Sequence, residues 1–464
     1  MKAVMLGKLF KPAGRIIALA ITAGMLGLFA YNAATLEPSF LNLMDKKWVD
    51  LIIKERGAQP HSGRVVIAAV DTLSVDRYGR WPWPRTRMAE LVEALTDHYE
   101  VRTIGFDIVF SEPEPGGDLI ESVKDRFNSL GFEPSAKADR FLQFLEGAKA
   151  GVNGDARFAG ALAEAANSVL GYFFFSRRGS VIHLSQAEIA TAKASLAGLE
   201  ISEIKGPVDR GTVPIGLLPE PNIEAIGEAA LSAGFFNIIP DREDGLIRRT
   251  HLLMQFGDNV YPALGLQVFR QYLGAEAIAI ETDQSGFIRT IKVGDRLIVP
   301  NFDGSILLNF RGPEGTFPRY SVFEIIERKI PKEQLLDRIV LVGATEIGLS
   351  DFRNTPVSVA LAGVEIHATL LDNLLTDTYF EQTLLNDIYT LFLMLCAGLL
   401  LAVVLPMLRN LHGTVLVLAL VLGYTFLHRW MVTELLTWPS YVYVALTLLA
   451  VWAGVRGFDR GMSR

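Results

Sequence analysis

Hydrophobic and polar positions follow three different rhythms along this chain, and each predicts a different kind of element. Four stretches run uncharged for about 20 residues, Ile16 to Leu36, Ile388 to Leu408, Asn410 to His428 and Leu435 to Val455. A helix needs ~20 apolar residues to cross the ~30 Å hydrocarbon core, so the pattern predicts transmembrane helices at 16–36, 388–408, 410–428 and 435–455. After the first of these, apolar positions recur at helical spacing (Phe40, Leu41, Leu43, Met44, Trp48, Val49, Leu51, Ile52 and Ile53), which predicts a helical stalk over 37–63.

From residue 64 to 380 the rhythm is that of alternating strands and helices. Arg64 to Val70 reads as a buried strand, Thr86 to Leu95 as an amphipathic helix and Arg102 to Phe110 as a second strand, which together make a βαβ unit. The polar run Pro115 to Ala156 reads as a surface excursion, after which the helix Phe158 to Ala166 and the strand Ser168 to Phe175 complete another unit. Residues 181–221 give no clear rhythm. Two apolar runs flanking Asp241 to Gly245 predict an antiparallel hairpin with that segment as its turn. A helix Ala263 to Leu273, a hairpin at Gly294-Asp295, a strand Ser305 to Phe310, a strand Arg338 to Val342 and a helix Gly363 to Leu375 complete the series. The expected fold is an α/β domain with a mixed, partly parallel sheet flanked by helices, joined to an α-helical membrane region of one N-terminal and three C-terminal helices.

Composition agrees with a chain that occupies two solvents, since half of its residues are hydrophobic while a fifth are charged. Charge then sets orientation. Lys2, Lys8, Lys11 and Arg15 precede the first span with no acid among them, and Arg456, Arg460 and Arg464 follow the last. The positive-inside rule makes 1–15 a cytoplasmic N-terminus and 456–464 a cytoplasmic tail, and leaves the large domain outside an inner or plasma membrane. A cleaved signal peptide is the competing reading of the first stretch, but the run is long for one and Ala30-Tyr31-Asn32 makes a poor cleavage site. The single cysteine, Cys396, falls inside the second span, so the outer domain has neither disulfides nor a cysteine metal site.

Three motifs in fixed order carry a family resemblance: Asp71 through Gly79-Arg80-Trp81-Pro82-Trp83-Pro84-Arg85; Gly105-Phe106-Asp107-Ile108-Val109-Phe110 with Glu112-Pro113; and Arg338-Ile339-Val340-Leu341-Val342-Gly343, followed by Asp351, Thr355-Pro356 and Gly363-Val364-Glu365-Ile366-His367-Ala368. This set resembles the CHASE family of extracellular sensory domains, second type. The resemblance implies a receptor input region whose output is a nucleotide cyclase or a kinase. Only nine residues follow Val455, too few for such a domain, so the expectation is an effector either missing from this chain or supplied as a separate partner.

The candidate ligand-binding residues are Asp71, Trp81, Trp83, Arg85, Asp107, Asp351, Thr355 and His367. Asp71 and Asp107 lie at the carboxyl ends of strands, where open α/β sheets bind ligands, and two carboxylates there suit a cation or an amine. They would serve equally as acceptors for loop backbone or for Arg85, since buried charges need partners. The Trp81-Pro82-Trp83-Pro84 segment holds two rings stiffly, to stack on a ligand or to plug the core. His367 reads first as a hydrogen-bond partner of the loop carrying Asp351 and Thr355, and second as a ligand or pH-sensing group.

Hydrolase elbows, zinc motifs and phosphate loops have no counterpart here, and Asp241 to Gly245 is too short for a calcium loop. No cofactor, no metal, no catalytic residue and no nucleic-acid partner is expected. Small residues at four-residue spacing, Ala20 with Gly24 and Ala23 with Gly27, together with Trp48 on the stalk, predict a homodimer. The leading function is a receptor input module sensing an unknown small ligand or envelope signal. The alternative is an envelope scaffold that binds a periplasmic or membrane partner protein without signalling.

Overall fold

The computed structural model describes residues 12–35, 39–114, 117–130, 135–177, 179, 181, 185–208, 211–346, 352–381 and 384–461. Helix α1 (Pro12–Thr35) and helix α2 (Phe40–Arg56) lead from the apolar N-terminal run into the α/β domain. The stalk helix is shorter than the predicted 37–63. Ser39 starts it by accepting the Asn42 N–H, and Gly57, at φ 72°, ends it in a backbone region that costs a residue with a Cβ.

The domain is built on a seven-stranded sheet. Its strands are β1 (Val65–Val70), β2 (Thr103–Phe106), β3 (Ser168–Phe175), β4 (Leu218–Glu220), β5 (Ser232–Phe235), β6 (Arg319–Ser321) and β7 (Ile339–Ala344). They lie in the order β6-β1-β7-β2-β3, with β5 and β4 pairing the first and second halves of β3. Every pairing is parallel except β3 with β4.

The sequence explains why this sheet is covered on both sides. All six residues of β1 are buried, as in a strand with no solvent face. Val65, Ile67 and Ala69 enter one core, and Val66, Ala68 and Val70 enter the other. Helix α3 (Thr72–Tyr78) follows β1 directly, and α4 (Arg85–Glu93) and α5 (Gly154–Ala165) cover the second core. The first core is closed by α6 (Leu264–Leu273) and α7 (Gly363–Thr376). Strand β2 is shorter than the predicted Arg102 to Phe110, because the chain leaves the sheet at Asp107.

The hairpin predicted around Asp241 to Gly245 does not form. Its first arm becomes β5, parallel to β3, while Arg249–His251 pairs with Ser305–Leu307 and Leu253–Phe256 with Asn259–Pro262. The Gly294-Asp295 hairpin does form, inside a four-stranded sheet of Glu203–Lys205, Ile278–Thr282, Ile288–Val293 and Arg296–Ile298.

Among the described residues, three helices are long and apolar enough to cross a membrane: α1, α8 (Leu384–Val404) and α9 (Asn410–Glu434). A fourth, α10 (Val442–Gly461), has a shorter apolar part and packs with them around Ala18, Leu401, Val417 and Val451. It starts seven residues later than the predicted 435, because Leu436 has φ 51° and Pro439 precedes the helix. Gly398 and Gly454 have no side chain to block α1, and Thr22 and Ile21 fill those gaps.

Candidate functional site

The carboxyl edge of the parallel strands brings together most of the predicted residues, but not as one cluster. Strand β7 lies between β1 and β2, so Asp71 and Asp107 are two strand spacings apart, ~10 Å, rather than paired across one crossover. The chain leaves β1 toward the core under α4 and leaves β7 toward the core under α7. Adjacent strands whose connections part to opposite faces open a crevice at their carboxyl ends. A cavity of about 570 Å³ occupies it, lined by Asp71, Thr72, Leu73, Glu314, Arg319, Thr345, Glu346, Phe352 and Ala360.

Asp71 has a structural task within this edge. Its Oδ1 accepts the Ser74 N–H at 3.0 Å, capping α3, and also the hydroxyl of Ser321 on β6. Arg319 reaches Glu314 at 3.2 Å and Glu365 at 3.7 Å across the cavity wall. Burial raises the Glu365 pKa, against the bonds that its two oxygens accept from the Gly315 N–H.

Asp107 and His367 meet on the other side of β7. The His367 Nε2 lies 3.6 Å from Asp107 Oδ1, too far for a hydrogen bond. The imidazole is buried, and desolvation holds its pKa down to about 4 even though the Phe236 backbone favours the proton. Gly343 makes this approach possible, since a Cβ there would fall 2.8 Å from Val364 and 3.4 Å from the Asp107 side chain. Thr355 bonds within its own turn, to Ser358, and does not engage His367. Asp351 lies outside the described residues.

The tryptophan segment belongs to the second core. Trp83 is buried and donates from Nε1 to the Gly79 carbonyl at 2.7 Å, and Trp81 packs edge-on against it at 5.1 Å. Arg85 serves neither aspartate. Its guanidinium lies 4.7 Å over Phe110, 3.3 Å from Asp155, and donates to the Glu112 carbonyl.

A second constellation, not singled out from the sequence, joins α2 to both the α/β domain and the C-terminal apolar helices. Arg248 is buried and donates to both oxygens of Asp50 on α2, at 2.8 and 2.7 Å, and to Asp241 and Asp244. These bonds raise the Arg248 pKa against its burial and hold Asp244 well below the ordinary carboxylate range. Lys46 adds ion pairs to Asp241 and Glu243, and Lys47 to Asp244. The segment Asp241 to Gly245 is therefore a carboxylate clamp on the stalk. One turn back, Asp45 accepts the Tyr441 and Val442 N–H groups at 3.0 and 2.6 Å, together with the Ser440 hydroxyl, and so caps α10. Desolvation raises its pKa to about 6. Two acids on an otherwise apolar helix face were the available signal, since a carboxylate there requires a partner.

Trp48 is used within the chain. Its ring stacks on Tyr441 at 4.4 Å and its Nε1 donates to His428 Nδ1 at 3.3 Å. The stalk's buried face, Val49, Ile52 and Ile53, packs on Leu307, Phe380 and Val432 of the same chain. By contrast, Ala20, Ala23, Gly24 and Gly27 are exposed on the outside of the bundle, with nothing within 4 Å of a Cβ built at either glycine.

A family model described as the CHASE2 domain matches residues 18–404. This chain belongs to the CHASE2 domain family. The matched region starts inside α1 and ends with α8, so the CHASE2 unit takes in most of α1, α2, the α/β domain and α8 together. Neither the curated proteins nor the solved structures include a match to it. As a CHASE2 protein with at least three membrane-length apolar helices, it is a membrane-associated sensor.

Proposed function

We propose that this CHASE2 chain is the input region of a transmembrane receptor, whose outer domain takes up an extracytoplasmic signal and passes it through α2 to the membrane helices. The observation that carries this reading is the double engagement of α2. One helix holds the outer domain through Asp50 and Arg248 and holds the start of α10 through Asp45. A shift of the domain against the stalk therefore has a direct mechanical route to the last span, with the aspartates as its two contacts.

The crevice beside Asp71 is the proposed ligand site, and its carboxylates, Asp71, Glu314 and Glu346 against the cation Arg319, favour a ligand carrying a cationic group. The effector is a cytoplasmic partner or domain of the nucleotide cyclase class, as the family resemblance implies. The proposed assembly is a parallel homodimer through α1, supported by the outward exposure of Ala20, Ala23, Gly24 and Gly27. Trp48 has no part in that interface, being committed to Tyr441 and His428.

Topology tests the reading. In a Cys396→Ser background, a cysteine placed at Ser176 should react with a membrane-impermeant maleimide in cells with an opened outer membrane, and one placed at Arg464 only after lysis. Labelling at 176 only after lysis would overturn the proposal.

A further inference from the structure

The outer domain carries an exposed apolar patch on the small sheet and its loops. Phe287 is 42%, Leu297 56%, Val299 38% and Phe302 45% exposed. They fall in two pairs, Phe287 with Phe302 and Leu297 with Val299. Phe287 and Phe302 contact edge-on at 5.7 Å, the Ile288 N–H donates to the Phe302 carbonyl, and Leu297 and Val299 flank the inward-facing Ile298. A half-buried strand normally turns polar residues to water, so apolar residues on both sides of this strand call for an apolar neighbour.

Two chains of contacts tie the patch to the base of the domain. Asp303, next to Phe302, is 3.8 Å from Arg249; Arg249 is 3.9 Å from Asp241; and Asp241 is 3.5 Å from Lys46. Lys46 follows Asp45, the residue that caps the outer end of α10. Independently, the Val299 N–H donates to Tyr379 Oη at 3.1 Å, five residues before α8 begins at Leu384. Fully extended, five residues span at most ~18 Å, so both routes keep the patch within reach of the helix ends at the base of the domain.

We propose that Phe287, Leu297, Val299 and Phe302 form a membrane-contacting foot that seats the outer domain in the headgroup and upper acyl region of the outer leaflet. The occupant is lipid rather than a protein, because Val299 is bonded to Tyr379, just before α8, and the neighbouring Phe380 packs with Trp438 and the stalk at the base of the helix bundle. Aromatic rings are favoured at that depth, with their apolar faces shielded and their edges near water. A foot of this kind would hold the domain against tilting about the stalk, so that motion is directed into the Asp50 and Asp45 contacts.

The test uses the full chain in liposomes, in the Cys396→Ser background, with an environment-sensitive fluorophore on single cysteines. Phe302→Cys reports on the foot. Val359→Cys, 86% exposed near the opposite end of α7, reports on water, and Phe392→Cys, 60% exposed on α8, reports on the bilayer. The expected result is quenching at 302 by lipids spin-labelled near the headgroup, with iodide quenching several-fold weaker than at 359. Iodide quenching at 302 equal to that at 359, without lipid quenching, would overturn the proposal. So would shielding from both quenchers, which would identify a protein cover. Lipid quenching at 392 in the same samples separates a missing foot from a failure of the membrane-spanning reading itself.

Discussion

Asp45 on α2 and Val442 at the start of α10 are joined by a 2.6 Å hydrogen bond, so the helix that follows α1 caps α10. The carboxylate satisfies backbone N–H groups that the helix itself leaves unpaired, and burial makes its charge costly.

That conflict has a pH signature. The folded-state pKa of Asp45 is raised from 3.8 to about 6, so the folded state holds the proton more tightly than the unfolded one. Stability from this residue is full below pH 3.8 and declines as the pH rises through 6, by at most about 3 kcal/mol. Asp45→Asn should remove this slope while keeping an acceptor for the cap, whereas Asp45→Ala should cost about 1 kcal/mol or more at neutral pH. Thermal unfolding of the full chain in detergent across pH 4 to 7 measures both.

His367 runs the other way. Its folded pKa is depressed from 6.5 to about 4, so its contribution is complete above pH 6.5 and is lost as the pH falls toward 4. Replacing His367 with Gln should flatten this acid limb, with the two titrations separated by comparing each single variant with the double. An unchanged acid limb in His367→Gln would place the titrating group elsewhere.

Asp71 separates a cap from a ligand contact. Asn is as good an N-cap as Asp, so Asp71→Asn should hold thermal stability within about 1 kcal/mol, whereas Asp71→Ala loses the cap and should cost about 0.5 to 2 kcal/mol. If the crevice binds the signal, Asp71→Asn abolishes the response at unchanged stability. A response that survives in a stable Asp71→Asn protein would leave Asp71 with the α3 cap alone.

Much of the architecture was legible because it rests on local rhythm. The uncharged runs gave the long helices, and the apolar runs gave β1 as residues 64–70 and β3 with the ends it has in the structure, Ser168 and Phe175. The late start of α10 was also encoded, in Pro439 followed by the cap residue Ser440, but the apolar run beginning at Leu435 obscured it. What local rhythm does not carry is pairing across long separations. β7 enters between β1 and β2 more than 200 residues later in the chain, and that insertion parts Asp71 from Asp107. Likewise, Asp241 to Gly245 has the composition of a turn and closes as one, yet its partner is the stalk, through Arg248 reaching Asp50 nearly 200 residues away.

Small residues on α1 make a separate prediction. Gly24→Leu with Gly27→Leu meets open space within one chain, so the monomer's stability should be unchanged, while crosslinking between single cysteines on α1 should fall sharply. Undiminished crosslinking in the double variant would remove this stripe from the dimer interface.

The most direct test of the central claim is amide hydrogen exchange at Tyr441 and Val442 in the full-length protein carrying Asp50→Asn. That change loosens the stalk from Arg248, which keeps Asp241 and Asp244. If α2 couples the outer domain to the membrane helices, exchange at 441 and 442 should quicken while the amides of β1 and β7 stay protected. Protection at 441 and 442 indistinguishable from wild type, with the clamp broken, would contradict it.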